Sequence, residues 1–242
     1  MASITIADDI KKLGTILGVW AHPDDETFTS AGIMAAAVKN GQKVICVTAT
    51  KGETGVQDES RWPASRLAEI REYELHAALD VIGVSQLHFL NYRDGSCLTN
   101  NQDAVDRVMK LIDQYKPDTI LTFGKDGLTG HPDHRAVCEW ALMAAQNSIT
   151  KPVVYHAVAT TAQYEQGMAD IDRALNYFYN VPEPRLAESS DCDVYFELAE
   201  DLEDLKYEAL KQMPSQYSKL LEMFSKESVC GAFSTEAFIR SQ

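Results

Sequence analysis

The chain has 242 residues, of which 45% are hydrophobic and 24% charged, a composition typical of a globular protein long enough to bury a sizeable core. Its formal net charge of −14 argues against nucleic acid as a partner, because the phosphates would repel the protein. There is no apolar run of membrane-spanning length, no secretory signal pattern, and no CxxC pair among the five cysteines, so we expect a cytoplasmic protein with reduced thiols and no membrane association.

The first 160 residues alternate between predicted strands and helices. The predicted strands are Thr15–Ala21, Lys43–Thr50, Gln86–Leu90, Thr119–Phe123 and Val153–Thr160. The predicted helices are Thr29–Asn40, Pro63–Ile82, Ala104–Tyr115 and His131–Gln146. Because strand–helix–strand units of this length form right-handed crossovers, the alternation indicates an α/β fold with a doubly wound, mostly parallel, Rossmann-like sheet and helices on both faces.

The pattern weakens after about residue 161. Ala162–Arg185 is mixed, Val194–Leu198 is a candidate edge strand, and Leu202–Lys211 and Gln216–Phe224 are predicted helices followed by a short tail. No linker or repeat divides the chain. We interpret residues 1–242 as a single domain, with a core over about 14–160 and a small C-terminal cap over 161–242.

The sequence WAHPDDE at Trp20–Glu26 follows the first predicted strand. Pro23 stiffens the turn, and ligands in open α/β sheets bind beyond the carboxyl ends of strands. The turn carries one imidazole and three carboxylates, at His22, Asp24, Asp25 and Glu26. Histidine together with aspartate is a ligand set that suits zinc. Alternatively, the acidic residues could simply stabilise the N-terminus of the following helix, but this would not explain the histidine.

A second motif, HPDH at His131–His134, follows another predicted strand more than a hundred residues later. Its two histidines lie close to one helix face, and His134 shares its stripe with Cys138 and Ala141, so it points inward. A lone inward histidine is usually a satisfied core residue. Two histidines that flank Asp133 at the end of a strand instead favour a functional site.

Charged residues interrupt the apolar stripe of the helix Pro63–Ile82 at Arg71 and Glu74. Inward charges are costly unless they are paired or functional, so a buried ion pair is one interpretation. In the other, Arg71 reaches the pocket to hold a substrate oxygen and Glu74 orients it. Asp94, in the turn NYRDG, follows a strand as well, and an ordinary turn aspartate remains an equal alternative.

AHPDDE at Ala21–Glu26 together with GHPDH at Gly130–His134 resembles the PIG-L/LmbE-like family of zinc-dependent N-acetylglucosaminyl deacetylases. The segment IREYELHAALDVIGV at Ile70–Val84 is similar to the arginine-bearing helix of that family. KYEALKQMPSQ at Lys206–Gln216 resembles its C-terminal helix more weakly. The resemblance covers roughly residues 14–160 in order and spacing.

This resemblance implies one zinc ion per chain, with open coordination positions for water and substrate. The implied zinc ligands are His22, Asp25 and His134. Asp24 would be the general base. His131 would act as acid or oxyanion partner, oriented by Asp133.

The resemblance also implies that Arg71 and Asp94 contact the substrate. Glu26 is expected to hydrogen-bond a ligand or a backbone amide. The chain departs from the family pattern at Thr129, where some members carry tyrosine, and at Met213, where many carry histidine.

The expected function is removal of the acetyl group from an N-acetylglucosamine-type amino sugar or its conjugate, a small-molecule substrate, by zinc-activated water and an aspartate base. The alternatives are a related zinc amidase on a larger amide, a metal-dependent phosphoesterase with two metals, and a binding module that keeps the metal but does not turn over. The glycine-rich loop at 124–130 is not a phosphate-cradling loop, which counts against the phosphoesterase. A homo-oligomer remains open.

Overall fold

The computed structural model of the chain describes residues 7–176 and 178–242. Its strands are β1 (Ile16–Trp20), β2 (Val44–Thr48), β3 (Gln86–Phe89), β4 (Thr119–Phe123), β5 (Val153–Ala157), β6 (Ala159–Thr160), β7 (Leu186–Ala187), β8 (Val194–Glu197) and β9 (Thr235–Arg240). Its α-helices are α1 (Asp25–Lys39), α2 (Ala64–Ile82), α3 (Gln102–Tyr115), α4 (Pro132–Asn147), α5 (Thr161–Gln163), α6 (Ala169–Leu175), α7 (Glu200–Lys211), α8 (Pro214–Met223) and α9 (Lys226–Phe233). A π-helical turn, Tyr164–Met168, joins α5 to α6, and short 3₁₀ turns cover Ala7–Leu13 and Ser189–Asp191.

The main sheet has seven strands in the order β3-β2-β1-β4-β5-β9-β8. The first five strands pair in parallel, while β9 is antiparallel to both β5 and β8. The predicted Rossmann-like α/β architecture is therefore confirmed. The chain winds outward from β1 through β2 to β3 and returns at β4, so the carboxyl ends of β1 and β4 flank the switch point where such sheets bind ligands.

The core lies around the central strands, since every residue of β1, β2 and β4 is buried. At the switch point the rings of Trp20 and Phe123 meet edge to face, with centroids 5.2 Å apart. Helices α1, α2 and α7 form one packed group and α3 and α4 another. In the described part of the chain, none of the helices combines the length and apolar character needed to cross a membrane.

The short tail predicted after Phe224 is wrong, because residues 226–240 form α9 and β9. β9 lies inside the sheet, between β5 and β8. β8 is the edge strand that the sequence predicted at Val194–Leu198. The segment TEAFIR carries polar residues at both ends and follows a helix directly, so it gave little strand signal. The C-terminal third thus supplies two strands of the main sheet in addition to covering helices.

A buried carboxylate ties β9 to α1. Ser30 departs from helical geometry, with φ −148°, and kinks α1. Just beyond the kink, the carboxylate of Glu236 accepts the backbone N–H groups of Gly32 and Ile33, both at 2.8 Å. Lys206 Nζ on α7 donates to the same carboxylate at 2.8 Å. One side chain therefore joins α1, α7 and β9.

Candidate active site

The turn after β1 is held in a strained conformation. Asp24 has φ 131°, a value that residues with a side chain rarely adopt. The fully buried Glu26 accepts the backbone N–H of Asp24 at 3.2 Å and the hydroxyl of Thr27 at 2.7 Å. Burial raises the pKa of Glu26 to about 7, opposed by the Thr27 hydrogen bond. Glu26 therefore makes the backbone contact expected of it and fixes the turn.

The two motifs meet beyond the adjacent ends of β1 and β4. His22 Nδ1 lies 3.2 Å from His134 Nε2. The carboxylate of Asp25 lies beside both rings, with Oδ1 3.4 Å from His134 Nε2 and Oδ2 3.7 Å from His22 Nδ1. The separations of His134 Nε2 from His22 Nδ1 and from Asp25 Oδ1 are close to the ~3.3 Å between ligand atoms in a tetrahedral zinc site. The three predicted ligands therefore lie together, and His22, His131 and His134 also bring one nitrogen each within 4.8 Å of one another, a group that could hold a metal ion as well.

The hydrogen bonds of these side chains leave the right atoms available to a cation. His134 Nδ1 donates to the carbonyl oxygen of Gly127 at 3.0 Å, so the neutral ring has its lone pair on Nε2. His22 Nε2 faces the carboxylates of Asp94, at 3.0 Å, and Asp133, at 3.3 Å, which favours a proton there and a lone pair on Nδ1. Asp25 Oδ2 accepts the backbone N–H of His22 at 2.7 Å. The donor set therefore fits a metal ion.

The two rings differ in charge. Burial lowers the pKa of His22, but the carboxylates of Asp133 and Asp94 beside its Nε2 outweigh it and raise that pKa to about 10. Burial, followed by the charge of His22, lowers the pKa of His134 well below its usual value, so this ring is neutral and its Nε2 can accept.

Asp94 and Asp133 have roles other than those expected. The second oxygen of Asp94 accepts the backbone N–H and the hydroxyl of Thr54, at 2.9 and 2.7 Å. Asp133 accepts the backbone N–H groups of Gly95, at 2.8 Å, and Cys97, at 3.1 Å. Asp133 therefore orients His22 and not His131, and both oxygens of Asp94 are engaged within the protein. Burial acts to raise the pKa of each of these carboxyl groups, but the hydrogen bond from His22 acts against it. The pKa of both Asp94 and Asp133 therefore lies below the usual range.

His131 is oriented by backbone instead. Its Nδ1 accepts the N–H of Asp133 at 3.2 Å at the N-terminus of α4, so the neutral ring carries its proton on Nε2. The ring lies beside the metal-facing histidines, with centroid distances of 4.7 Å to His22 and 5.0 Å to His134. Burial and the charge of His22 lower its pKa. These features suit a hydrogen-bond donor beside the metal point.

Arg71 is buried and faces the turn, as the sequence suggested, but its partners differ. Nη2 donates to the carbonyl oxygen of Pro23 at 2.6 Å and to Asp24 Oδ2 at 3.0 Å, and Nη1 donates to the carbonyl oxygen of Gly52 at 2.8 Å. A Cβ at Gly52 would lie 2.2 Å from Nη1, so this approach requires glycine. Arg71 therefore holds the turn and the Asp24 carboxylate together.

Glu74 does not serve to orient Arg71. Its carboxylate accepts the backbone N–H of Ser215 at 3.0 Å and the Ser215 hydroxyl at 2.5 Å, at the start of α8. The orphan N–H groups of a helix N-terminus compete successfully for a nearby carboxylate. Glu74 therefore anchors the C-terminal helices to α2.

Asp24 stands at the edge of the site, with its side chain 20% exposed. Burial raises its pKa to about 8, and the guanidinium of Arg71 opposes the rise. A carboxylate poised near neutrality and open to a cleft suits a general base.

The cleft itself has a volume of about 270 Å³ and contains residues that the sequence did not single out. They are Phe28, Thr54, Gly55, Gln57, Phe178, Asn180, Gln216 and Tyr217. Most lie in loops or in the C-terminal third, where no motif marks them. Of the two departures, Thr129 lines the cleft, with Oγ1 3.3 Å from His134 Nδ1, whereas Met213 is buried outside its lining.

Fold and site together define an α/β protein with a candidate histidine–aspartate metal centre at the switch point of its sheet. The sequence model of the PIG-L family, described as GlcNAc-PI de-N-acetylase, matches residues 17–145. The chain belongs to the PIG-L family.

Curated relatives carry a deacetylase name. The chain is 30% identical over 177 residues, 64% of its length, to the 1D-myo-inositol 2-acetamido-2-deoxy-alpha-D-glucopyranoside deacetylase of Corynebacterium diphtheriae, of which it spans 60%. It is 30% identical over 214 residues to the protein of the same name in Rhodococcus erythropolis, covering 74% of this chain and 72% of that protein. Among solved structures, N,N'-diacetylchitobiose deacetylase from Pyrococcus horikoshii matches with 25% identity and a TM-score of 0.65, over 96% of this chain and 85% of that one.

Proposed function

We propose that this protein is a zinc-dependent hydrolase that removes the acetyl group from an N-acetylglucosamine-type amino sugar or its conjugate. The observation that carries the proposal is the meeting of His22, Asp25 and His134 beside Asp24, with His134 Nε2 3.2 Å from His22 Nδ1 and 3.4 Å from Asp25 Oδ1. Named relatives that act on acetamido sugars support the substrate class.

Zinc held by His22, Asp25 and His134 would lower the pKa of a bound water to about 7 and polarise the amide carbonyl. Asp24 accepts the proton as the water oxygen attacks the acyl carbon. Arg71 keeps the Asp24 carboxylate at the edge of the cleft throughout. The Nε2–H of His131 donates a hydrogen bond to the carbonyl oxygen as negative charge develops there, and the proton that Asp24 has taken from the water passes to the departing amine nitrogen. Acetate and the free amino sugar result.

The rest of the cleft suits a neutral polar molecule. Besides the catalytic groups it presents the amides of Gln57, Asn180 and Gln216, which can donate to and accept from sugar hydroxyls. Arg71 lines the same cleft, although its guanidinium donates to Gly52, Pro23 and Asp24 of the protein. We therefore propose that the sugar binds against these amides.

One observation bears on the phosphoesterase alternative. Asp94 and Asp133 form a further group of potential ligands with His22, around its Nε2, the nitrogen that faces away from His134. Its carboxylates are engaged by Thr54, Gly95 and Cys97, so the group serves as support for a ligand and not as a second metal site. We expect one metal per chain.

The test is acetate release from a panel of N-acetylglucosamine conjugates, with metal content measured on the same sample. We expect about one zinc per chain and release from at least one conjugate. Chelation should abolish release and added zinc should restore it, because no residue replaces the metal. A zinc-loaded protein that hydrolyses no member of the panel contradicts the substrate class, and two metals per chain would favour the phosphoesterase.

Replacing Asp94 by asparagine should weaken zinc binding by about 10- to 100-fold, the usual cost of losing a carboxylate that supports a ligating histidine. The reason is that His22 Nε2 keeps only Asp133 as an anionic partner. Competition with a chromophoric chelator measures the affinity. Asp113→Asn, on the exposed face of α3, is the matched control and should bind zinc as the unaltered protein does. Equal affinities in the two variants would contradict the supporting role of Asp94.

A further inference from the structure

Two loops at the carboxyl edge of the sheet contact each other beside the cleft. One loop, at 51–57, follows β2, and the other, at 91–101, follows β3, the parallel neighbour of β2. The first loop contributes three residues to the lining of the cleft, Thr54, Gly55 and Gln57. The second contributes Asp94, whose Oδ1 lies 3.0 Å from His22 Nε2. The direction of the Asp94 carboxylate therefore depends on how the two loops are joined.

Reciprocal hydrogen bonds join the loops at Asp94. Its second carboxylate oxygen, Oδ2, accepts the backbone N–H of Thr54 at 2.9 Å and the Thr54 hydroxyl at 2.7 Å. In the other direction, the backbone N–H of Asp94 donates to Glu53 Oε1 at 3.0 Å. Two bonds therefore hold the side chain of Asp94, and a third holds its backbone.

Burial makes the bonds from Thr54 important to Asp94. Asp94 is 6% exposed, so little water reaches its carboxylate. Hydrogen bonds to a charged group are stronger than those between neutral groups, and a buried oxygen has few alternative donors. Two of the donors to this carboxylate belong to Thr54, and a third is His22 Nε2. Thr54 therefore fixes the direction of a buried charge.

Asp94 transmits this constraint to His22. A carboxylate beside one nitrogen of a ligating histidine sets the tautomer and the orientation of its ring. With the proton on Nε2, the lone pair of His22 lies on Nδ1, which is 3.2 Å from His134 Nε2. Rotation of the Asp94 carboxylate would move Oδ1 away from Nε2, and the bonds from Thr54 oppose that rotation. Asp133 faces the same Nε2 at 3.3 Å, so the loss of Thr54 should have a partial effect.

The loop at 51–57 also supports the proposed base. The carbonyl oxygen of Gly52 accepts Arg71 Nη1 at 2.8 Å, and Arg71 Nη2 donates to Asp24 Oδ2 at 3.0 Å. The loop is therefore connected both to a proposed metal ligand and to the proposed base, in addition to forming a wall of the cleft.

Resting on the proposed zinc-dependent function, we propose that Thr54 is a positioning residue of the metal centre, which acts on His22 through Asp94. Its two bonds hold Asp94 in the orientation in which the carboxylate keeps the proton of His22 on Nε2. The lone pair on Nδ1 then faces the zinc position. Because Thr54 acts through another residue, its loss should weaken zinc binding without removing a ligand.

The test measures zinc affinity by competition with a chromophoric chelator. Thr54→Val keeps the branched side chain and the backbone N–H but removes the hydroxyl, so zinc should bind about three- to tenfold less tightly, a smaller loss than that of the whole carboxylate. Thr54→Ser restores a hydroxyl and should recover most of the affinity. Thr150→Val is the matched control, at an exposed threonine before β5 and at the opposite edge of the sheet, and should leave zinc binding unchanged.

A double-mutant cycle shows whether Thr54 acts through Asp94. When Asp94 is already alanine, adding Thr54→Val should change zinc affinity by less than about twofold, because the carboxylate that Thr54 positions is gone. The full loss in that background, or an unchanged affinity of Thr54→Val alone, overturns the proposal. Acetate release from N-acetyl conjugates is measured on the same samples at saturating zinc. No release from any sample, alongside the expected cycle, contradicts the proposed hydrolase but not the role of Thr54, and an unaltered protein that binds no zinc contradicts both.

Discussion

Replacing Asp24 by asparagine should leave zinc bound and lower kcat for acetate release by about 10²–10⁴, the usual worth of a general base. Asparagine keeps the shape of the side chain but cannot accept a proton from water at neutral pH. The proposed metal ligands His22, Asp25 and His134 are unchanged. Metal content, with kcat and KM measured separately, checks the expectation.

Asp24 also forms an ion pair with Arg71, so the variant must be shown to be folded. Its thermal midpoint and zinc content are compared with those of Asp113→Asn, a neutral change on the surface of α3. If the Asp24 variant is folded, holds zinc and still hydrolyses at the original rate, another group takes the proton. The base assignment would then be wrong, while the metal site would stand.

The meeting of the two histidine motifs could be anticipated from the sequence because both follow strands of one parallel sheet. Carboxyl ends of parallel strands share an edge, and the pairing of β1 with β4 brings His22 and His134 together. Apolar runs predicted the central strands to within a residue or two for the same reason, since a strand buried on both faces admits few alternatives.

The supporting contacts could not be anticipated in this way. Whether Asp133 orients His131 or His22 depends on how the loop at 91–101 folds over the site, since Gly95 and Cys97 supply the N–H groups that hold the Asp133 carboxylate. Similarly, Arg71 and Glu74 lie one turn apart on α2 but bond to different partners. Arg71 donates to the turn after β1, and Glu74 accepts from the start of α8. The apolar periodicity of a helix predicts that such charged residues face inward, but it does not predict which groups they will contact.

The C-terminal third shows the same limit on a larger scale. β9 has polar ends and pairs with β5, which ends the predicted core, and with β8 of the C-terminal third. Its buried Glu236 looks like a surface residue in the sequence, yet it is 1% exposed and is satisfied by groups from α1 and α7. Local pattern cannot reveal a buried charge whose partners lie at a distance in the chain.

This arrangement leads to the largest expected effect on stability. Replacing Lys206 by methionine should lower the free energy of unfolding by about 3–5 kcal/mol, because the carboxylate of Glu236 loses its cation inside the protein. Lys206 and Glu236 are 2% and 1% exposed, so water cannot take the place of the ammonium group. Urea unfolding measures the change.

The same substitution at Lys211 is the matched control. Lys211 lies on the same helix and pairs with Glu208, but both side chains are about half exposed, so its loss should cost less than about 1 kcal/mol. Adding Glu236→Gln to Lys206→Met should recover part of the loss, since a neutral amide needs no buried cation and its oxygen can still accept from one backbone N–H group. If Lys206→Met costs no more than Lys211→Met, the N–H groups of Gly32 and Ile33 alone suffice for Glu236. The join between β9 and α1 would then depend on the kink in α1 and not on the ion pair.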